Sequence, residues 1–187
     1  MNLLGIPYYK NTPMRYLFLP GLLMLLSQYA NSQQTDSLFI SSALLKLKNA
    51  KEYTLKVADL MPAENYDYRP TEDEMNFGEQ LLHIAGNLAW LSTSYLNSGT
   101  NANLKIDNKL KDKDSIRKVL VRTYDYAINV LMHFRPENLS DTVKFFAGPM
   151  NKMQVINLIN DHQTHHRGQL LVYLRLSGIT PPKYVGW

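Results

Sequence analysis

Four stretches of this chain place their apolar residues at alternating steps of four and three, and that period constrains the fold more than any other feature. The first stripe runs Ala43, Leu47, Ala50, Thr54, Val57 and Met61, and the second Phe77, Leu81, Ile84, Leu88, Leu91 and Tyr95. The third is Ile116, Leu120, Thr123, Ala127, Val130 and Phe134, and the fourth Val155, Ile159, His162, His166, Gln169 and Tyr173. A stripe of this period lies along one face of an α-helix and is buried against neighbouring helices. The expected fold class is therefore all-α, a four-helix bundle. The 187 residues suit one such domain.

Boundary residues agree with these segments. Pro62 stops the first helix, and Asn76 with Glu79 three residues later predicts a capping box for the second. Asn97-Ser98-Gly99 closes the second, Asp114 caps the third and Pro136 ends it. Gly178 is expected in the left-handed position after the fourth helix, ahead of Pro181-Pro182. The connections near 62–76, 99–113 and 136–149 are longer than usual bundle loops. Val143-Lys-Phe-Phe146 reads as a short extended piece.

The N-terminus has a different character. Residues 1–32 contain Lys10 and Arg15 but no Asp or Glu, and Arg15 precedes the apolar run Tyr16–Leu26. Ala30 and Ser32 then stand at the −3 and −1 places of a cleavage site. The run is shorter than the ~20 residues that cross a bilayer, so no stable membrane span is expected. Residues 1–32 are read as a signal peptide with an N-terminal extension, Met14 offering a second start, and residues 33–187 as the bundle. The expected location is exported, periplasmic or secreted.

Without the leader, 18 basic residues face 16 acidic ones, and no basic block with interleaved aromatics suggests a nucleic-acid partner. The chain has no cysteine, which excludes disulfides, thiolate catalysis and Cys-ligated zinc. A metal site here has to use His, Asp or Glu.

The fourth stripe is where chemistry is expected. His162 and His166 take places where Leu or Val would pack, and two unpaired buried imidazoles are costly. At i and i+4 they stand one turn apart, a spacing that lets both reach one metal ion. The intervening Gln163-Thr164-His165 lacks the Glu of a zinc protease. Two core histidines that hydrogen-bond each other remain the other reading. His83 sits in a narrow polar stripe with Glu79, Asn87, Trp90 and Ser94, on a helix otherwise apolar nearly all round. Periodicity leaves open whether that stripe is a solvated face or the lining of a site. His165 and Asp161 flank the pair as candidate supporting groups, and His133 reads as a surface residue.

Two motifs carry a family resemblance. Asp161-His162-Gln-Thr-His165-His166-Arg167-Gly168-Gln169-Leu170, continuing to Pro181-Pro182, resembles the C-terminal signature of the DinB/YfiT-like superfamily, and so does Tyr68-Arg69-Pro70 followed by Gly78-Glu79-Gln80-Leu-Leu-His83-Ile84. The resemblance spans about residues 37–182. It implies an up-down-down-up four-helix bundle and a metal site of three histidines matching His83, His162 and His166. Dimers are common in the superfamily, so it also implies a homodimer. Some members resemble transferases that use a low-molecular-weight thiol, a cofactor scarce outside the cytoplasm.

Three imidazoles leave at least one coordination place for water or substrate, as catalytic rather than structural zinc sites do. Zinc is the first choice on ligand type, and nickel, manganese and iron accept the same donors. Glu79, one turn from His83, is the candidate catalytic base, although a capping box would also occupy it. Two functions follow: a metal-dependent hydrolase or group transferase acting on a small-molecule substrate, or a non-enzymatic metal- or ligand-binding module of the cell envelope.

Overall fold

The computed structural model describes residues 15–96 and 104–186, and within 15–32 only the backbone and Met24. Asn97-Ser98-Gly99 and the alternative start Met14 lie outside the described residues. Four α-helices account for most of the chain: α1 (Arg15–Leu60), α2 (Phe77–Leu91), α3 (Lys113–Met132) and α4 (Lys152–Leu176). The fold is an all-α helical bundle. The chain divides into two compact units, Met1–Thr35 and Asp36–Trp187. The helix α1 begins at Arg15 and passes the expected cleavage point without a break. Among the described residues no helix is long and apolar enough to cross a membrane.

In the larger unit the first three stripes form the core as their period requires. Leu47, Thr54, Val57, Met61, Phe77, Leu81, Ile84, Leu91, Ile116, Leu120 and Thr123 are all buried. Polar contacts tie the helices together. The Thr54 hydroxyl of α1 lies 2.9 Å from the Tyr124 hydroxyl of α3, and Lys113 Nζ donates to the Asp59 and Met61 carbonyls at the end of α1. Lysine at a helix C-terminus satisfies carbonyls that have no partner within the helix.

Local signals set the helix ends. Asn76 caps α2, accepting from the Glu79 amide while the Glu79 carboxylate accepts from the Asn76 amide. After Leu91 the helix widens into a π-helical turn, Ser92–Leu96. Asp112, not Asp114, caps α3: its carboxylate accepts from the Ser115 amide at 2.8 Å. Asp112 has the extended backbone that a cap needs, and Asp114 already lies within the first turn. At the far end α3 stops at Met132, and Pro136 opens a short 3-10 turn, Pro136–Asn138.

A small hairpin launches α4. Strands β1 (Thr142–Val143) and β2 (Met150–Asn151) pair antiparallel, Thr142 with Asn151 and Val143 with Met150, and Gly148 turns between them at φ 119°. Of the expected extended piece Val143–Phe146 only Val143 is in a strand, and Lys144, Phe145 and Phe146 lie in the connection between the strands. Asn151 closes the hairpin and also caps α4 through a capping box with Gln154. Gly178 ends that helix at φ 72°, the left-handed place expected for it.

Candidate metal centre

The helix α2 presents His83, and α4 presents His162 and His166. One ring nitrogen from each lies within 4.8 Å of the other two. His83 Nε2 is 3.1 Å from His162 Nε2. Two nitrogens bound to one tetrahedral zinc at ~2.05 Å each would stand about 3.3 Å apart. The His83–His162 pair has that spacing, and with His166 the three donors could hold one ion. The polar stripe of α2 is a lining: Glu79, His83, Asn87 and Trp90 border one cavity, and Ser94 borders a neighbouring one beside Trp90.

The burial of the pair corrects one expectation. His162 and His166 are only half-buried and His83 is exposed. The face of α4 that enters the core holds Val155, Ile156, Ile159, Asn160, Gln163, Arg167, Leu170, Tyr173 and Leu174, so Val155, Ile159 and Tyr173 of the expected stripe are buried. The centre of that face is polar, at Gln163 and Arg167, and apolar periodicity put the histidines there in their place. They stand on its flank beside His83, and His83 borders an open cavity.

That cavity, about 560 Å³, is walled by Met75, Leu82, Gly86 and Asn108 together with the α2 stripe. Asn108 comes from the connection before α3, which carries no periodic signal. Trp90 packs edge-on to Tyr95 and against Phe145 and Phe146, so the hairpin turn helps fix the cavity's outer wall.

Gln80 is the supporting residue that sequence reasoning missed. It is buried, and its Oε1 accepts from His166 Nδ1 at 2.6 Å. The proton is thereby held on Nδ1, and Nε2 keeps its lone pair for a metal. Gln80 Nε2 donates in turn to Gln169 Oε1 and Tyr173 Oη, and the Tyr173 hydroxyl donates to the Met75 carbonyl at 2.9 Å. The signal was present: a lone amide one turn before His83 on an apolar helix requires a partner. His162 differs, because its Nδ1 is buried with no hydrogen-bond partner among the described residues. Protein groups fix the tautomer of one α4 histidine and not of the other.

The remaining candidates take lesser places. The His165 ring contacts that of His166, with centroids 4.9 Å apart, and its Nε2 is 3.0 Å from Gln169 Nε2. Asp161 is exposed and hydrogen-bonds neither imidazole. His133 lies at the exposed end of α3, hydrogen-bonded to the Asn129 carbonyl. Glu79 has both proposed features at once: its carboxylate closes the capping box and approaches Arg69, and it borders the cavity.

Burial, reinforced by the neighbouring imidazoles, pushes His162 and His166 down to about 4, and burial lowers His83 as well. All three are neutral at pH 7, the state in which imidazole binds metal. A stability prediction follows for metal-free protein. Between the ordinary value of 6.5 and about 4 the unfolded chain takes up protons that folded His162 and His166 refuse. Stability should therefore fall as pH drops through that window, and these two groups should add no further loss below it. Besides each other, the titratable groups facing them are His83 and His165. Thermal melting of chelator-treated protein should show this slope, flatter in a His162→Gln/His166→Gln variant. Equal slopes would contradict the assignment.

Comparison with known proteins agrees with this architecture. The DinB family model matches residues 32–186, a span that includes all three histidines. The protein YjoA of Bacillus subtilis (strain 168) is 27% identical over 134 residues, covering 70% of this chain and 85% of its own. The crystal structure of a DinB-like protein from Bacillus cereus ATCC 10987 superposes with a TM-score of 0.63 at 19% identity, over 78% of this chain and 97% of that one. The crystal structure of YjoA gives a TM-score of 0.62 at 18% identity, over 76% and 96%. The match to the family model covers most of the chain, its helices and its histidine-bearing segments, and this protein belongs to the DinB family.

Proposed function

We propose that the protein holds one divalent metal ion, zinc by first preference, on His83, His162 and His166, and works as a metal-dependent hydrolase or group transferase on a small molecule. The observation that carries this reading is the triad itself, whose His83 borders an open cavity of about 560 Å³. A ligand pocket of this size is ordinary for small molecules, and a binding module would more naturally seal its ion with side chains. When bound, such an ion supplies Lewis acidity and lowers the pKa of water. The chain's own residues do the rest. Met75, Leu82 and Trp90 offer apolar surface, Asn87 and Asn108 offer amides that orient a polar group, and Gln80 holds His166 in its metal-binding tautomer. Glu79 borders the cavity within the same α2 stripe and is the group placed to accept a proton there.

A screen of zinc-loaded protein against activated esters, phosphoesters and thiol-accepting electrophiles tests the reading. Turnover that a chelator removes, zinc restores and His83→Ala lacks supports it. Stoichiometric zinc without turnover on any class moves the protein to the alternative, a metal- or ligand-binding module of the cell envelope.

Export belongs to the same proposal. Its supports are the basic and apolar leader, the family match that begins at residue 32, and the division of the chain after Thr35. Cleavage is expected between Ser32 and Gln33, and mass spectrometry of the mature protein checks it. A cytoplasmic product that keeps Arg15 would refute export and leave the metal site untouched.

A further inference from the structure

A second constellation lies about 100° round α4 from the histidines, one residue on from each. Arg167, next to His166, is 6% exposed, although its charge has no counter-charge. No carboxylate among the described residues comes within ion-pair distance of it. Its Nη1 donates to the Thr54 hydroxyl at 3.3 Å and its Nη2 to the Thr164 hydroxyl at 3.2 Å, both long contacts to neutral oxygens. A guanidinium has five N–H groups, and beyond these two contacts its one further protein partner among the described residues is the Tyr124 hydroxyl, so two N–H groups remain for another acceptor. The Thr54 oxygen is already engaged with Tyr124. The guanidinium also lies over the Tyr53 ring, 5.2 Å from its centroid, which steadies a cation without neutralising it.

Arg167 borders a cavity of about 180 Å³, separate from the one beside the histidines. Lys46 of α1 borders it too, likewise without an acidic partner, and Asn160, Gln163, Thr164 and Tyr184 complete most of the wall. Burying a charge is costly unless an opposite charge and good hydrogen bonds accompany it. Here two cations border one small, largely polar cavity, and neither has an acid. What the site lacks is an anion with oxygens to accept the free guanidinium N–H groups.

We propose that this cavity binds a small oxyanion, a carboxylate or phosphate group. Arg167 donates to it with its forked N–H groups and Lys46 supplies the second charge from α1. A planar guanidinium matches two oxygens of such a group, which an ammonium cannot do as well. A volume of about 180 Å³ admits the anionic head of a ligand but not a large molecule. The site is independent of the histidine centre in its residues and in its cavity.

Titration calorimetry of the purified full chain with inorganic phosphate, and separately with acetate, at constant ionic strength tests this. One saturable site is expected for at least one anion, and the tighter one tells whether phosphate or carboxylate is the natural head group. Lys46→Gln should weaken binding about threefold or more, the loss of one partly screened charge. Arg167→Lys, which keeps the charge but loses the fork, should weaken it about tenfold. His162→Ala should leave it unchanged, because an anion bound at the metal centre would be lost in that variant. If Arg167→Lys does not fold, Lys46→Gln at the cavity edge decides alone. Absence of binding by both anions, loss of binding in His162→Ala, or indifference to Lys46→Gln would each overturn the proposal.

Discussion

Replacing His162 or His166 by Ala should reduce metal content from one ion per chain to a trace, while His133→Ala should leave it at one. The three donors stand within 4.8 Å of one another on two helices, and no Cys exists to take over from a lost ligand. Two imidazoles have to hold the ion where three did. Both rings are only half-buried, so Ala should be accepted without unfolding the chain, although His166→Ala also removes the donor to the buried Gln80 Oε1. His133, at the exposed end of α3, controls for the general loss of a histidine. Elemental analysis of protein purified without a polyhistidine tag checks the result. Full occupancy in both α4 variants would mean that the ion sits elsewhere.

The second large effect concerns a residue that touches no metal. Gln80→Leu should lower metal affinity about 10- to 100-fold, the usual consequence of removing the group that orients a ligand histidine. Gln80 is buried, and Leu nearly matches its volume, so the helix should stay folded. What goes is the acceptor at 2.6 Å from His166 Nδ1. The ring then has no partner to fix its tautomer, and Gln169 and Tyr173 lose the amide that links them to it. Gln80→Glu should recover part of the affinity, because a carboxylate accepts the same hydrogen bond. Competition with a chromophoric chelator measures all three proteins. Equal affinity for wild type and Gln80→Leu would remove Gln80 from the site, with the His triad itself unaffected.

The pattern of what could be read from sequence has a physical origin. The cores of α1, α2 and α3 were legible because their buried positions are apolar apart from Thr54, Gln80 and Thr123, so hydropathy and burial share one period. In α4 they do not. Gln163 and Arg167 are buried through hydrogen bonds to Tyr124, Thr54 and Thr164, and a hydropathy stripe treats such residues as solvent-facing. Val155, Ile159 and Tyr173 of the stripe are buried as expected, but its middle falls on the half-buried His162 and His166 in place of Gln163 and Arg167. The α2 capping box and Gly178 were legible because one side chain or one φ value decides them. The cap of α3 was misplaced by two residues, where Asp112 and Asp114 offer the same chemistry and only the backbone distinguishes them. Asn108 and the unpaired cation at Arg167 depend on which elements meet in space, and no spacing along the chain reports that.

That three imidazoles hold an ion open to outside ligands is tested most directly by cobalt substitution. Three protein nitrogens leave room for exchangeable ligands, and the absorption of cobalt changes with its coordination. Added azide or a hydroxamate should shift the spectrum and saturate at one equivalent per chain, with no shift in His83→Ala. A cobalt spectrum indifferent to both ligands, or a ligand response that survives loss of His83, would contradict the account.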